Sequence, residues 1–142
     1  MAVFRVLSLL LLGVLLVGCD SGGENDSITL TDVWGGSFTK NDTEYDLTVT
    51  LQQSQATDFG TASVTGEGGL VVTDADGSET TIPFSVNGTL SNSTLSLQVN
   101  YEDSRPGQLT GTVGPDVQTI EAVLVGGGPG FDSDAVTLNR GG

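Results

Sequence analysis

The chain has 142 residues, of which 18 are Asp or Glu and only 4 are Lys or Arg; it has no His and a single Cys. That length suits one domain with one core, and a surface this acidic repels nucleic acid phosphates, which excludes a DNA or RNA partner. The lack of His removes the usual base near neutral pH, Ser-His-Asp catalysis and the common zinc sets, and a lone Cys excludes an intramolecular disulfide.

Residues 1–18 have the three parts of an export signal. Arg5 is the positive start, residues 6–17 are apolar except for Ser8 and Gly13, and Gly18 is the small residue before Cys19. The run is shorter than the about 20 apolar residues of a spanning helix. Leu16, Val17, Gly18 and Cys19 together resemble the lipobox of bacterial lipoproteins. The resemblance implies cleavage before Cys19, a diacylglycerol thioether on its sulfur, and acylation of the new amino terminus by a chain such as palmitate. Two or three acyl chains anchor a protein stably where one does not. The expected location is the cell membrane or outer membrane, lipid-anchored, with the domain outside the cytoplasm. Asp20 follows the Cys, which in enterobacteria-like lipoproteins is associated with retention in the inner membrane.

From Cys19 onward 12 Asp and 6 Glu face three bases, and Lys40 is the only Lys. Such a surface keeps an exported domain soluble, and its bias resembles that of halophile proteins, whose self-repulsion salt relieves. Residues 19–31 begin polar and Gly-rich and read as a flexible tether, on the order of 20 Å long as a coil.

Residues 32–140 read as one all-β domain. An opening run holds Val33, Trp34 and Phe38, with Gly35 and Gly36 between them signalling a bulge or a close backbone approach. Tyr45, Leu47, Val49 and Leu51 then alternate with polar residues, and Ala62, Val64 and Gly66 form a shorter run. Next come Ile82, Phe84, Val86 and Gly88; Leu95, Leu97, Val99 and Tyr101; Leu109, Gly111 and Val113; Ile120, Ala122 and Leu124; and finally Val136 and Leu138. Period-two alternation of this kind marks antiparallel strands with one face on a core and one in water. Turn signals separate the runs, at Asn41-Asp42, Asp58 to Gly60, Asp76-Gly77, residues 87–93, Arg105 to Gly107, Gly114 to Asp116 and residues 126–130. About eight short-linked strands with one apolar face predict an up-and-down β-barrel, since closure removes both free edges. A two-sheet β-sandwich is the alternative.

Residues 34–38 (Trp-Gly-Gly-Ser-Phe), the strand-turn-strand after them and the closing residues 136–138 resemble small barrels of the lipocalin and avidin kind. The resemblance implies the barrel layout over residues 32–140. It does not extend to lipocalin's signature Gly two residues before the Trp, where Asp32 stands, or to avidin's biotin contacts, because Trp34 is the only Trp.

Candidate chemistry is sparse, and no cofactor is expected. Trp34, Phe38, Tyr45, Phe84 and Tyr101, with Phe59 and Phe131, are candidates to line a ligand cavity or to fill the core and plug the barrel ends. Asp74, Asp76 and Glu79 have the start of a calcium-loop spacing, but an Asp-Gly hairpin turn explains the same residues. Asp132 and Asp134 repeat that pattern more weakly. Glu67, Glu79, Glu102 and Glu121 are the carboxylates open to glycosidase-type pairing. The Gly-rich residues 126–130 lack the Lys of a phosphate loop. The expectation is a non-enzymatic envelope lipoprotein, held on a membrane through Cys19, whose barrel is a structural or interaction module. The alternatives are a carrier or sensor of a small apolar ligand, and a carboxylate-dependent hydrolase.

Overall fold

The computed structural model describes residues 28–54, 60–102, 104–128 and 130–142, and the strands among them are eight: β1 (Asp32–Lys40), β2 (Thr43–Gln53), β3 (Thr61–Thr73), β4 (Glu79–Ser91), β5 (Thr94–Tyr101), β6 (Gly107–Val113), β7 (Thr119–Val125) and β8 (Asp134–Arg140). Each pairs antiparallel with the next, and β8 returns to β1, so the sheet is a closed up-and-down barrel in chain order. No helix occurs among the described residues. The signal segment, Cys19 and Phe59 lie outside them.

Burial follows the alternation. Along β2, Tyr45, Leu47, Val49 and Leu51 are buried while Glu44, Asp46, Thr48 and Thr50 are not. The same period places the inward residues of β5, β7 and β8 in one continuous core. Each fully buried Leu or Val side chain contributes about 1.5–3 kcal/mol over its exposed state. No polar or charged residue is buried among the described residues, and only Val33 and Val125 are large apolar side chains left exposed. An apolar inside with a polar outside is the reverse of a membrane-spanning barrel.

Register shows how the strands tilt. One inward row runs Trp34, Val49, Gly68, Phe84, Tyr101 across β1 to β5. It starts near the first residue of β1 and ends at the last residue of β5, so it climbs from one barrel end to the other, as tilted strands require. Two inward glycines are set by space. A Cβ at Gly36 would strike the Thr137 carbonyl of β8, so the Gly35-Gly36 pair serves a close backbone approach. A Cβ at Gly68 would strike the Thr48 carbonyl of β2 and lie 2.8 Å from Phe84 Cζ, so the neighbouring backbone and the Phe84 ring together take the room a side chain would need.

Two features differ from the sequence expectation. β3 runs on to Thr73 through Gly68 and Gly69, which break its alternation in the sequence. β4 runs to Ser91, so the turn is only Asn92-Ser93 rather than residues 87–93.

One end of the barrel, the strap end, is crossed by residues 28–31. The last four residues of the segment expected to be tether therefore belong to the packed barrel. Leu30 is fully buried and Ile28 packs on the core. Gln53 of β2 clasps this strap from both sides: Leu30 N–H donates to its Oε1 (2.8 Å), and its Nε2 donates to the Ile28 carbonyl (2.7 Å). Trp34 Nε1 donates to the Leu30 carbonyl (2.9 Å).

Candidate functional site

The opposite end is where the aromatic residues gather. The β1–β2 hairpin turns there through Asn41 and Asp42, at φ 50° and 62°. Two consecutive left-handed residues make the tight hairpin that suits strand twist, and its register sets Phe38 opposite Tyr45. Their rings stack at 5.0 Å. Phe131, from the β7–β8 loop, closes the group edge-on at 5.4 Å from Phe38 and 5.2 Å from Tyr45. It is 3 % exposed although it belongs to a loop.

Phe84 and Tyr101 form a second, T-shaped pair at 5.9 Å. The Tyr101 hydroxyl is buried with no hydrogen-bond partner. Desolvation pushes its pKa up to about 12, because burial disfavours the phenolate. Gly128 lies against the face of that ring: a Cβ there would stand 3.2 Å from Tyr101 Cζ. One loop therefore covers both aromatic groups.

That loop is tied to the barrel through its backbone and through Lys40. Gly128 N–H donates to the Arg105 carbonyl at 3.3 Å. Lys40 Nζ donates to the Gly130 carbonyl (3.3 Å), Asp132 Oδ2 (3.3 Å) and Asp134 Oδ2 (2.9 Å). The hydrogen bond to Asp134 leads in raising the Lys40 pKa above its usual value, and that to Asp132 adds to it.

The remaining candidates are dispersed. Trp34 belongs to the strap end, with the Arg140 guanidinium 5.5 Å above its ring, so the five aromatic candidates do not line one cavity. Asp74, Asp76 and Glu79 sit on the β3–β4 hairpin without forming a cation cage. Asp76 Oδ1 instead accepts the Ser78 N–H at 2.8 Å, a bond that heads the causes lowering its pKa. Gly77 N–H closes the turn on the Asp74 carbonyl. No group of three or more acidic, His or Cys side chains able to hold a metal occurs among the described residues. These bonds make residues 74–78 a tight turn between β3 and β4. Asp132 and Asp134 act as acceptors for Lys40.

Of the carboxylates, Glu67 and Glu102 line one shallow outer groove of about 320 Å³ with Ser85 and Asn100, while Glu79 and Glu121 lie apart from it. Glu67 and Glu102 are both exposed. Two further outer grooves, of about 480 and 450 Å³, are floored by Gly66 and by Gly35 and Gly36. Sequence reasoning missed the loop's role as a cover and the part of Lys40. A lysine at a strand end carries no local signal of a partner some 90 residues away. No known family, curated protein or solved structure matches the chain.

Proposed function

We propose that the protein is a lipid-anchored lipoprotein of the bacterial cell envelope whose barrel serves as a non-enzymatic interaction module. The observation that carries this reading is the inner face, which among the described residues is lined by aliphatic and aromatic side chains and buries no charged residue. On this reading recognition falls to the polar outer strands and the two ends. The anchor rests on the residues 16–19 pattern. Eight residues separate Cys19 from Ile28, and fully extended they reach about 30 Å at most. On this reading the strap end faces the bilayer and the aromatic end faces away. The test is labelling with radioactive palmitate and membrane fractionation of the parent chain and Cys19→Ser. Label and membrane association are both expected to be lost in the variant; a Cys19→Ser protein that still sediments with membranes sinks the anchor.

A second reading, a carrier or sensor of a small apolar ligand, is favoured by the buried, unpartnered Tyr101 hydroxyl. A buried polar atom without a partner costs about 1–3 kcal/mol. A ligand atom that pairs with it would recover that cost.

A further inference from the structure

We propose that the strap end is a membrane contact, with Ile28, Val33 and Val117 resting in the headgroup layer of the bilayer that holds Cys19. The proposal rests on the anchor reading and adds the side chains that touch the lipid.

The first observation is a strained valine. Val117 lies in the β6–β7 turn at φ 55°. Its N–H donates to the Gly114 carbonyl, and the Gly114 N–H to the Thr119 carbonyl, both at 2.9 Å. The left-handed position of so tight a turn suits Gly or Asn, and a β-branched residue is strained there. Full burial does not offset the strain, because Val117 packs on the core yet stays part-exposed. Strain of this kind persists where the side chain has a use beyond packing.

The second observation is the company that Val117 keeps. Arg140 Nη1 donates to the Val117 carbonyl at 3.2 Å, and its Nε to Asp32 Oδ2 at 2.8 Å. The next residue, Gly141, donates its N–H to the Val33 carbonyl at 2.8 Å. The Arg140 guanidinium stands over Trp34, whose Nε1 holds the strap through the Leu30 carbonyl. Val117, Val33 and the strap are thus gathered round one arginine. Val33 is one of two large apolar side chains left exposed among the described residues, and Ile28 is part-exposed.

The chain itself names what covers them. Eight residues separate Cys19 from Ile28, and as a coil their ends lie about 16 Å apart. A lipidated Cys19 therefore keeps this end beside the bilayer at a roughly millimolar effective concentration. At that concentration even the modest burial of three aliphatic side chains is populated. The aromatic end is not equivalent. Asp42, Glu44, Asp74, Asp76 and Glu79 gather there on the β1–β2 and β3–β4 hairpins, and ionised carboxylates resist leaving water. At the strap end Asp32 is paired with Arg140.

Trp34, the only tryptophan, reads the contact without a label. The lipidated full chain is placed in phosphatidylcholine vesicles carrying a headgroup nitroxide, and quenching of the Trp34 emission is measured. The parent chain is expected to be quenched at least about twofold more than the same chain with Val33→Ser and Val117→Gly, since interfacial contact scales with buried apolar area. Both should stay on the vesicles through Cys19. Val125→Ser, at the aromatic end, should leave the quenching unchanged. Val117→Gly alone should keep or raise the unfolding midpoint, because glycine takes a positive φ without strain. A lowered midpoint with unchanged quenching means that the valine serves the core alone, and the proposal fails. Val33→Ser changes an exposed side chain and stays decisive if the Val117 variant does not fold. If the double variant instead splits an oligomer of the Cys19→Ser chain in solution and leaves the quenching as it was, a second copy covers this end and the proposal is overturned. Equal quenching of parent and double variant, both still on the vesicles, removes the contact and leaves the anchor standing. If mass spectrometry finds no lipid on Cys19, the anchor reading falls and takes the contact with it.

Discussion

Lys40 and Asp134 stand 2.9 Å apart across the seam where the barrel closes on itself. At the other end of that seam Arg140 Nε meets Asp32 Oδ2 at 2.8 Å. Between the two ion pairs, β1 and β8 share only two register pairs, Trp34 with Arg140 and Gly35 with Asn139, whereas β1 and β2 share nine. Of the three bases after Cys19, two therefore stand on this seam, one toward each end of the barrel. We therefore expect Lys40→Met and Arg140→Met each to lower the unfolding midpoint. The seam should also open locally, so hydrogen exchange in β1 and β8 should quicken several-fold while β3 and β4 stay protected. Uniform loss of protection around the barrel would show that the seam is no weaker than the other ladders.

Most of the barrel was legible because its warrant is local. Tyr45, Leu47, Val49 and Leu51 announce a half-buried strand whatever they pair with, and Asn41-Asp42 and Asp76-Gly77 announce turns. What was illegible depends on contacts distant in sequence. Leu30 sits between Thr29 and Thr31 and looks like tether until Gln53 is seen to hold its backbone. Phe131 looks like a loop aromatic until Phe38 and Tyr45 are beside it. The Lys40–Asp134 pair spans 94 residues, and nothing in either neighbourhood names the other.

Gly36 tests whether closure depends on backbone approach. A methyl group there would meet the Thr137 carbonyl of the neighbouring strand, and backbone cannot rotate away as a flexible side chain can. Gly36→Ala should destabilise the fold by about 3 kcal/mol through overpacking, measured by urea unfolding. Gly69→Ala is the control: a Cβ there meets nothing closer than Thr81 Cγ2 at 3.6 Å, so its effect should be much smaller.

Tyr101 makes a spectroscopic prediction. The chain has two tyrosines, and absorbance near 295 nm should show one of them ionising late, at about 12, with that step absent from Tyr101→Phe. Removing a buried hydroxyl that pairs with nothing should also stabilise the protein, by about 1 kcal/mol. A destabilised Tyr101→Phe would mean the hydroxyl has a partner after all.

Acid and alkali should act on different groups. The hydrogen bond from Arg140, with the Val33 N–H adding to it, holds the Asp32 carboxyl below its usual range. The folded value is depressed, so its contribution is present above the unfolded pKa of about 3.9 and is lost as pH falls through the folded value. Asp76 follows the same sign. Lys40 is raised, so its contribution is present below about 10.4 and lost as pH climbs through the folded value. The Tyr101 contribution disappears between about 10 and the folded value near 12. Stability measured against pH should therefore be flat in the middle and fall on both sides. Asp32→Asn should soften the acid edge and leave the alkaline one in place.

Gln53 gives the sharpest test of the strap. Its single carboxamide satisfies the Leu30 N–H and the Ile28 carbonyl together, and the Gln53 backbone N–H donates to the Thr31 hydroxyl oxygen at 3.0 Å. Gln53→Ala removes the first two bonds and leaves the third, which uses backbone. The Ile28 carbonyl can reach water, because Ile28 is only part-buried, and the Leu30 N–H can do so once Leu30, now fully buried, moves out. The cost should be about 1–2 kcal/mol rather than a full desolvation penalty. Leu30 should then leave its site and uncover Trp34, whose Nε1 bonds to the Leu30 carbonyl. Trp34 is the only tryptophan, so a red-shifted emission and easier quenching by acrylamide in Gln53→Ala report release of the strap directly. Unchanged emission would mean that burial of Leu30, and not the carboxamide clasp, holds these residues across the barrel end.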